Sequence, residues 1–427
     1  MVCLNALRNR WILAGLVATS LAACTGQTEL TTDESDVDSE SASASSSDVI
    51  KIGALMPMTG DLQAFGETSL NGVNLALDEI NANGGVMGQP LEVSVGDTQT
   101  AAQPSIDAAQ KLVSIEGAIA ILGALSSGNT IPVAESITKD NSIPQISPAS
   151  TSPVISTLAD EDFLFRTVPS DAFQGIALAE VAREQGLENV AIIYVNNDYG
   201  QGLAESFQAA FEGKAGTVSG SVPYEKGQAS YRGELQQLAN EGAEALLLIG
   251  YPENGITILK QSLEEGFFDR FIFTDGMKAP EVIDAIGADI LEGAFGTVAQ
   301  SDVESEAYAT FNNAYEEKYG ELPPKPYIDT SYDAMMILAL AIEHSGSTDG
   351  GAIQQAIREV ANAPGVEIKP GEWGKAVEAI ANGEDIDYTG ASGSLEFDDN
   401  GDVAGAFAHW AIQNGEIITV EVFEPER

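Results

Sequence analysis

The chain has few of the residues that carry covalent or redox chemistry. Its 427 residues include two cysteines and two histidines. Cys3 and Cys24 both lie near the N-terminus, so the stretch from residue 49 onward has no thiol and no disulfide. His344 and His409 stand apart, and neither sits in a metal-ligand spacing. A histidine-based triad is therefore unsupported, and His344, ending a helical run, reads as a C-terminal cap. Basic residues are also scarce: 19 Lys and Arg face 65 Asp and Glu, a formal net charge of −46. That surface excludes nucleic acid as a partner and weakly favours ligands carrying an ammonium group. No G-x-G-x-x-G or P-loop lysine motif occurs, and no G-x-S-x-G. With neither a nucleophile–base pair nor a metal cluster, the sequence implies a non-enzyme without cofactors.

Long apolar runs are missing too. The longest, Trp11–Ala23, is short for a membrane span. It follows Arg8 and Arg10 and ends in small residues, the pattern of a secretory signal. "LAAC", Leu21 to Cys24, resembles the bacterial lipobox. The resemblance implies a signal peptide over residues 1–23 and a diacylglycerol on Cys24; the alternative is an ordinary signal with a chance cysteine. Residues 24–48 are rich in Ser, Thr, Asp and Glu. They bury too little apolar surface to offset the entropy of ordering, so they read as a tether.

The full chain has 44% hydrophobic content and room for two or three domains. "VIKIGALMP" reads as a strand. A helix follows, with apolar Leu70, Val73, Leu75, Leu77 and Ile80, and Gly84–Gly85 stop it. Strand and helix alternate through "IPQIS", and the pattern restarts at "DAFQGIALAEVAREQG". This predicts an α/β fold of two lobes with parallel-rich sheets. Three helices are expected near 304–319, 327–344 and 352–361, and another in "WGKAVEAIANG". The C-terminal region predicts strands joined by Asn-Gly turns. In "FDDNGD", aligning Gly401 with a calcium-loop glycine puts Glu396, Asp398 and Asn400 on ligand positions. The last position then falls on Phe407, so a hairpin turn is expected.

Ligands of open α/β sheets bind beyond the carboxyl ends of the strands. The loops there hold Ser126 and Ser127, Ser147, Ser150 and Thr151, Tyr199, Tyr251 and Asp275. Ser127 and Thr151 are one strand–helix–strand step apart, which makes their loops neighbours. "SSGNT" opens a helix, whose free N–H groups suit an anion. Asp275 can hold a cation, and the tyrosines can wall an apolar body. The set suits a small zwitterion. Each residue also has a plainer reading: the serines cap a helix, Asp275 is a turn residue, the tyrosines pack between lobes, and "SPAST" is a connection.

From about Val49 to Phe423 the chain resembles the branched-chain amino-acid binding proteins of ABC importers, of the class I periplasmic binding protein fold. The carrying pieces are "IGALMPMTGDLQAFGETSLNGVNLALDEINANGGVMG", "AILGALSSGNT", "IPQISPASTSP", "FLFRTVPSDAFQG", "VAIIYVNNDYGQG" and "FIFTDG", in order. The resemblance implies two Rossmann-like lobes joined by a multi-strand hinge. Lobe 1 would be residues 49–171 with 300–396, and lobe 2 residues 172–299 with 397–427. It implies a substrate carboxylate on Ser127, an Ala149 carbonyl and a Thr151 hydroxyl and amide at the amino-acid backbone, walls from Tyr199 and Tyr251, and the ammonium on Asp275. Departures are Asp275 where leucine binders carry Glu, Phe65 where they carry Tyr, and Tyr327 where they carry Phe. These bear on side-chain specificity. The implied protein is an extracytoplasmic, lipid-anchored monomer that delivers an amino acid to an ABC permease. A urea or short-amide binder and a sensory co-receptor are the alternatives. Residues 364–390 have no role in this reading.

Overall fold

A computed structural model of the protein describes residues 49–425. The expected signal peptide, Cys24 and the tether lie outside the described residues.

Five short apolar segments form the first sheet: β1 (Ile50–Met56), β2 (Leu91–Asp97), β3 (Ala120–Gly123), β4 (Gln145–Ser147) and β5 (Leu164–Arg166). All are parallel, in the order β2-β1-β3-β4-β5. β1 is buried along nearly its whole length. Helices on both faces of a parallel sheet remove the need for alternation, which is why "IKIGALM" reads as a continuous run. Two of those helices, Gln63–Ala82 and Ile328–Ser345, pack on each other. The second is apolar almost all round and correspondingly buried. Gly72 permits the approach, since a Cβ there would stand 2.1 Å from the Ile328 carbonyl oxygen.

The second sheet starts with five parallel strands, β6 (Asn189–Val195), β7 (Thr217–Tyr224), β8 (Ala245–Ile249), β9 (Phe271–Phe273) and β10 (Phe295–Gln300). The chain then returns to lobe 1 and makes a small sheet: β11 (Val366–Ile368), β12 (Ile386–Gly390) and β13 (Gly393–Ser394), with helix Trp373–Ala381 between the first two. Finally β14 (Ala406–Gln413) and β15 (Glu416–Phe423) add to the second sheet antiparallel, giving β15-β14-β10-β9-β8-β6-β7. Asn414 and Gly415 turn that hairpin with φ of 53° and 81°, the left-handed pair that a two-residue turn needs.

Residues 364–390, which the sequence left without a role, complete the core of lobe 1. Trp373, Ile368, Ile386 and Tyr388 are all buried there. Two carboxylates on the packed helix pair fasten the block. Glu79 accepts from the Tyr332 hydroxyl and from the Gly371 and Trp373 N–H groups. Asp333 accepts from the Tyr388 hydroxyl at 2.9 Å, from the N–H groups of Ala391 and Ser392 at 2.8 and 2.7 Å, and from the Ser392 hydroxyl.

The chain passes between the two sheets three times: after β5, after β10 and before β14. The third passage lies later than the division after residue 396. Phe397 packs edge-on against Phe165 at 5.4 Å, and the Gly401 carbonyl accepts the Arg166 N–H at 3.0 Å. Residues 397–402 therefore stay with the first sheet. Nor is "FDDNGD" a strand hairpin. Asp398 caps a tight turn by accepting from the Asn400 and Asp402 N–H groups, and no ladder flanks it. His344 does lie in the last turn of its helix, with Nε2 3.1 Å from Glu359.

Candidate functional site

The loops after β3 and β4 are held together by the small hydroxyls of "SPAST". Ser147 donates to the Ala124 carbonyl at 2.7 Å and accepts the Ser150 N–H at 3.0 Å. The Ser150 hydroxyl meets Thr130 at 2.7 Å and the Leu125 carbonyl at 3.2 Å. Underneath, Arg166 is fully buried. Its guanidinium pairs with Asp402 at 2.7 Å and donates to the carbonyls of Ser150 and Ser152 and to the Ser156 hydroxyl. This loop is a rigid shelf, and Ser127, which accepts the Ser152 N–H at 3.1 Å, sits at its edge.

Facing the shelf, three loops of the second sheet converge. Asn197 caps the helix Asp198–Gly213 and sets Tyr199 in its first turn. Tyr251 precedes the helix Pro252–Glu265. Their rings stack at 5.6 Å and 13°. Asp275 follows β9, where the chain turns at the strand's carboxyl end. Its Oδ1 accepts from the Tyr199 hydroxyl at 2.8 Å and from Gln174 Nε2 at 2.9 Å, and its Oδ2 from the Tyr327 hydroxyl. A carboxylate has about four acceptor positions, so one remains on Oδ2. Across the cleft, Ser126 and Tyr251 share a hydroxyl bond of 2.9 Å. Two lysines span the rim. Lys226 reaches the Thr100 carbonyl and stands 3.9 Å from Asp61, and Lys325 pairs with Glu281 while donating to the Ala64 carbonyl.

Between these walls lies a small, nearly closed-down cavity of about 20 Å³. Phe65, Ser127, Ala149, Tyr199, Tyr251, Asp275 and Tyr327, all singled out in the sequence, line it. Leu62, Leu125, Ser126 and Gly276 complete it.

Thr151 is the exception. It is not among the lining residues, and its hydroxyl donates to Asp171 Oδ2 at 2.8 Å. Asp171 is wholly buried, and its other oxygen has no partner. A buried carboxylate needs a donor more than a solvated ligand group does, so the hydroxyl belongs to Asp171. Thr151→Val is therefore expected to cost about 1–3 kcal/mol of stability with ligand affinity nearly unchanged. Denaturant unfolding beside calorimetry checks this; a loss confined to binding would restore Thr151 to the pocket.

Asp171 and Gln174 were not found as site residues. Asp171 looks like an ordinary first-turn acid behind the Ser170 cap, and that it is: Ser170 accepts the Ala172 N–H at 3.3 Å. Nothing local says that it also faces Asp275. Burial pushes both carboxyls above the usual range. The Asp275 charge adds to the rise at Asp171, while the Tyr327, Tyr199 and Gln174 bonds hold Asp275 down. A raised folded pKa gives stability that is present below the ordinary carboxylate range and lost as pH rises through the raised value. Asp171→Asn should therefore gain thermal midpoint over the wild type as pH climbs from about 4 to 7. A midpoint difference independent of pH would refute the repulsion.

Two parallel α/β lobes closed around a polar-ended cavity define a bilobal ligand-binding protein. The chain belongs to the periplasmic binding protein family, whose model matches residues 49–379, a family of extracytoplasmic binding proteins rather than enzymes. It is 28% identical over 352 residues to the Leu/Ile/Val-binding protein BraC3 of Rhizobium johnstonii, covering 81% of this chain and 90% of that one. It is 24% identical over 355 residues to the chemotactic signal transduction system substrate-binding protein BasB of Halobacterium salinarum, covering 81% and 83%. Among solved structures, the leucine binding protein LivK of Thermotoga maritima superposes with a TM-score of 0.75 at 28% identity, covering 88% of this chain and 99% of that one. LivJ of Streptococcus pneumoniae, solved with isoleucine, gives 0.73 at 24% identity, covering 88% and 100%, and speaks for the fold. Among the described residues no helix is long and apolar enough to cross a membrane.

Proposed function

We propose that the protein captures a neutral amino acid between its lobes and hands it to an ABC permease. One observation carries this reading. One cavity is lined by Ser127 at a helix start, by the buried Asp275 carboxylate, and by Tyr199, Tyr251 and Phe65. The helix start and Ser127 suit a carboxylate, and the last acceptor position on Asp275 suits an ammonium. Ala149, at the shelf, would offer its carbonyl to the same ammonium. The walls are mostly apolar and leave no counter-charge for an ionic side chain, which favours a neutral one, branched-chain ones included. Both lobes contribute, so binding and closure are one event: the three passages between sheets act as a hinge.

The test is a calorimetric panel of the twenty amino acids, urea, acetamide and short carboxylic acids. Tight binding of urea or acetamide in place of any amino acid would sink this reading and favour the amide-binding alternative. The name of the halobacterial relative supports a second output, sensing. Loss of uptake on deleting the partner permease, with ligand-directed movement intact, separates import from signalling. Attachment to the membrane through Cys24 is part of the proposal. Cys24→Ser should release the protein from the membrane fraction, and continued attachment would exclude the lipid.

A further inference from the structure

The first turn of the helix Asp171–Glu184 lies where the chain first passes from one sheet to the other, and two of its side chains are left incomplete. Asp171 is wholly buried. Beyond the Thr151 hydroxyl on Oδ2 its carboxyl has no side-chain donor, and Oδ1 is without a partner. Gln174, three residues on and so on the same helix face, spends its Nε2 on Asp275 Oδ1 at 2.9 Å and on the Thr297 carbonyl at 3.1 Å. Its Oε1 is buried without a donor as well. Gln174 thus ties Asp275 to the turn that carries Asp171, and two buried acceptors on that turn lack a hydrogen.

The charges do not balance either. Asp171 and Asp275 are both buried and repel each other. The cation that acts on Asp171 is Arg166. Its guanidinium already serves Asp402 at 2.7 Å, the carbonyls of Ser150 and Ser152, and the Ser156 hydroxyl. The other titratable groups facing the pair are the hydroxyls of Tyr199, Tyr251 and Tyr327. Burial holds all three above the ordinary tyrosine range, so they stay neutral and supply no counter-charge. Two ionised carboxyls in one dry site are costly, and a single proton relieves the empty protein of that cost. Placed on Asp171, it turns an orphan acceptor into a donor on the face shared with Gln174.

We propose that Asp171 is a positioning residue for the ammonium site: it shares one proton with Asp275 while the cleft is empty, and the pair gives that proton to solvent when a ligand ammonium arrives. The inference rests on the amino-acid reading of the cleft. Asp275 lines the cavity and Asp171 does not, so the ligand meets Asp275 and acts on Asp171 through it. The incoming ammonium takes over as counter-charge, and the pair's hold on its proton weakens. Gln174 keeps Asp275 oriented in both states, because its amide donates to the ionised oxygen. An amino acid that expels a proton binds more tightly as pH rises, and acidification loosens it. A ligand without an ammonium displaces nothing.

The experiment is calorimetry on the full chain with leucine from about pH 6 to 7, at each pH in two buffers of different ionisation heat. Leucine is a zwitterion throughout, so a proton that reaches the buffer comes from the protein. About 0.5–1 proton should be released per leucine bound, and the affinity should rise about three- to tenfold over that unit. 4-Methylpentanoate, which lacks the ammonium, should release none. Asp171→Asn should release none with leucine and bind it with an affinity that does not follow pH. The wild-type titrations decide alone should that variant misfold. Leucine heat with no proton released, the same release from Asp171→Asn, or the same release with 4-methylpentanoate would each overturn the inference and leave the amino-acid reading in place. No binding by any amino acid would overturn both.

Discussion

Asp275→Asn is expected to abolish amino-acid binding at ordinary concentrations, while the matching deaminated acids lose little. Asp275 is 4% exposed and sits among three donors, the hydroxyls of Tyr199 and Tyr327 and the Gln174 amide. Those donors hold a carboxylate in place without neutralising it. A ligand ammonium would be its one formal counter-charge in the cavity. Removing one partner of a buried pair costs about 3–5 kcal/mol, two orders of magnitude or more in affinity. The asparagine keeps an acceptor for Tyr199 or Tyr327 but presents an NH2 group where the ammonium would go. Calorimetry with leucine and with 4-methylpentanoate separates the two cases. Equal losses for both compounds would assign Asp275 a purely structural role.

Arg166→Met should destabilise the protein by about 3–5 kcal/mol, among the largest effects of any single change in lobe 1. The guanidinium is fully buried and joins three things: Asp402, the carbonyls of Ser150 and Ser152, and the Ser156 hydroxyl. Methionine fills much of the space but strips Asp402 of its counter-charge, leaving it the Ser156 hydroxyl, and takes the guanidinium donor from the Ser150 carbonyl. Arg166→Met/Asp402→Asn should recover part of the loss, since it removes the stranded charge. Urea unfolding measures both. A cost below about 1 kcal/mol for the single variant would show that water replaces the guanidinium and that the shelf does not depend on it.

How much of this could be read beforehand differs from element to element. The alternation of "IKIGALM" and "AIAILGAL" with amphipathic helices was enough for a parallel first sheet, because burial on both faces writes itself into the sequence. That Ser127, Tyr199, Tyr251 and Asp275 line one cavity was legible because all four follow strand ends. The bond from Thr151 to Asp171 was not legible, because Asp171 lies 20 residues on and is brought beside it only at the first passage between the sheets. The two Asn-Gly pairs make the same point. Asn414–Gly415 joins two strands, whereas Asn400–Gly401 is held on lobe 1 by Arg166 and carries no ladder. The dipeptide specifies a turn; what flanks it is decided by distant side chains. Residues 364–390 were opaque for that reason as well, since Glu79 and Asp333, which fasten them, sit on helices far away in the chain.

The lysines at the rim bear on how the medium sets the balance between open and closed lobes. Closing brings together two bodies of a chain whose formal charge is −46, and against that repulsion stand only a few bonds such as Lys226 to Asp61 and Lys325 to Glu281. Such partly exposed pairs contribute little each. The repulsion is spread over the whole surface and is what dissolved ions screen most effectively, since most of it acts beyond a Debye length of about 8–10 Å. Concentrated salt therefore favours closure here rather than loosening it, and ligand affinity rises with ionic strength.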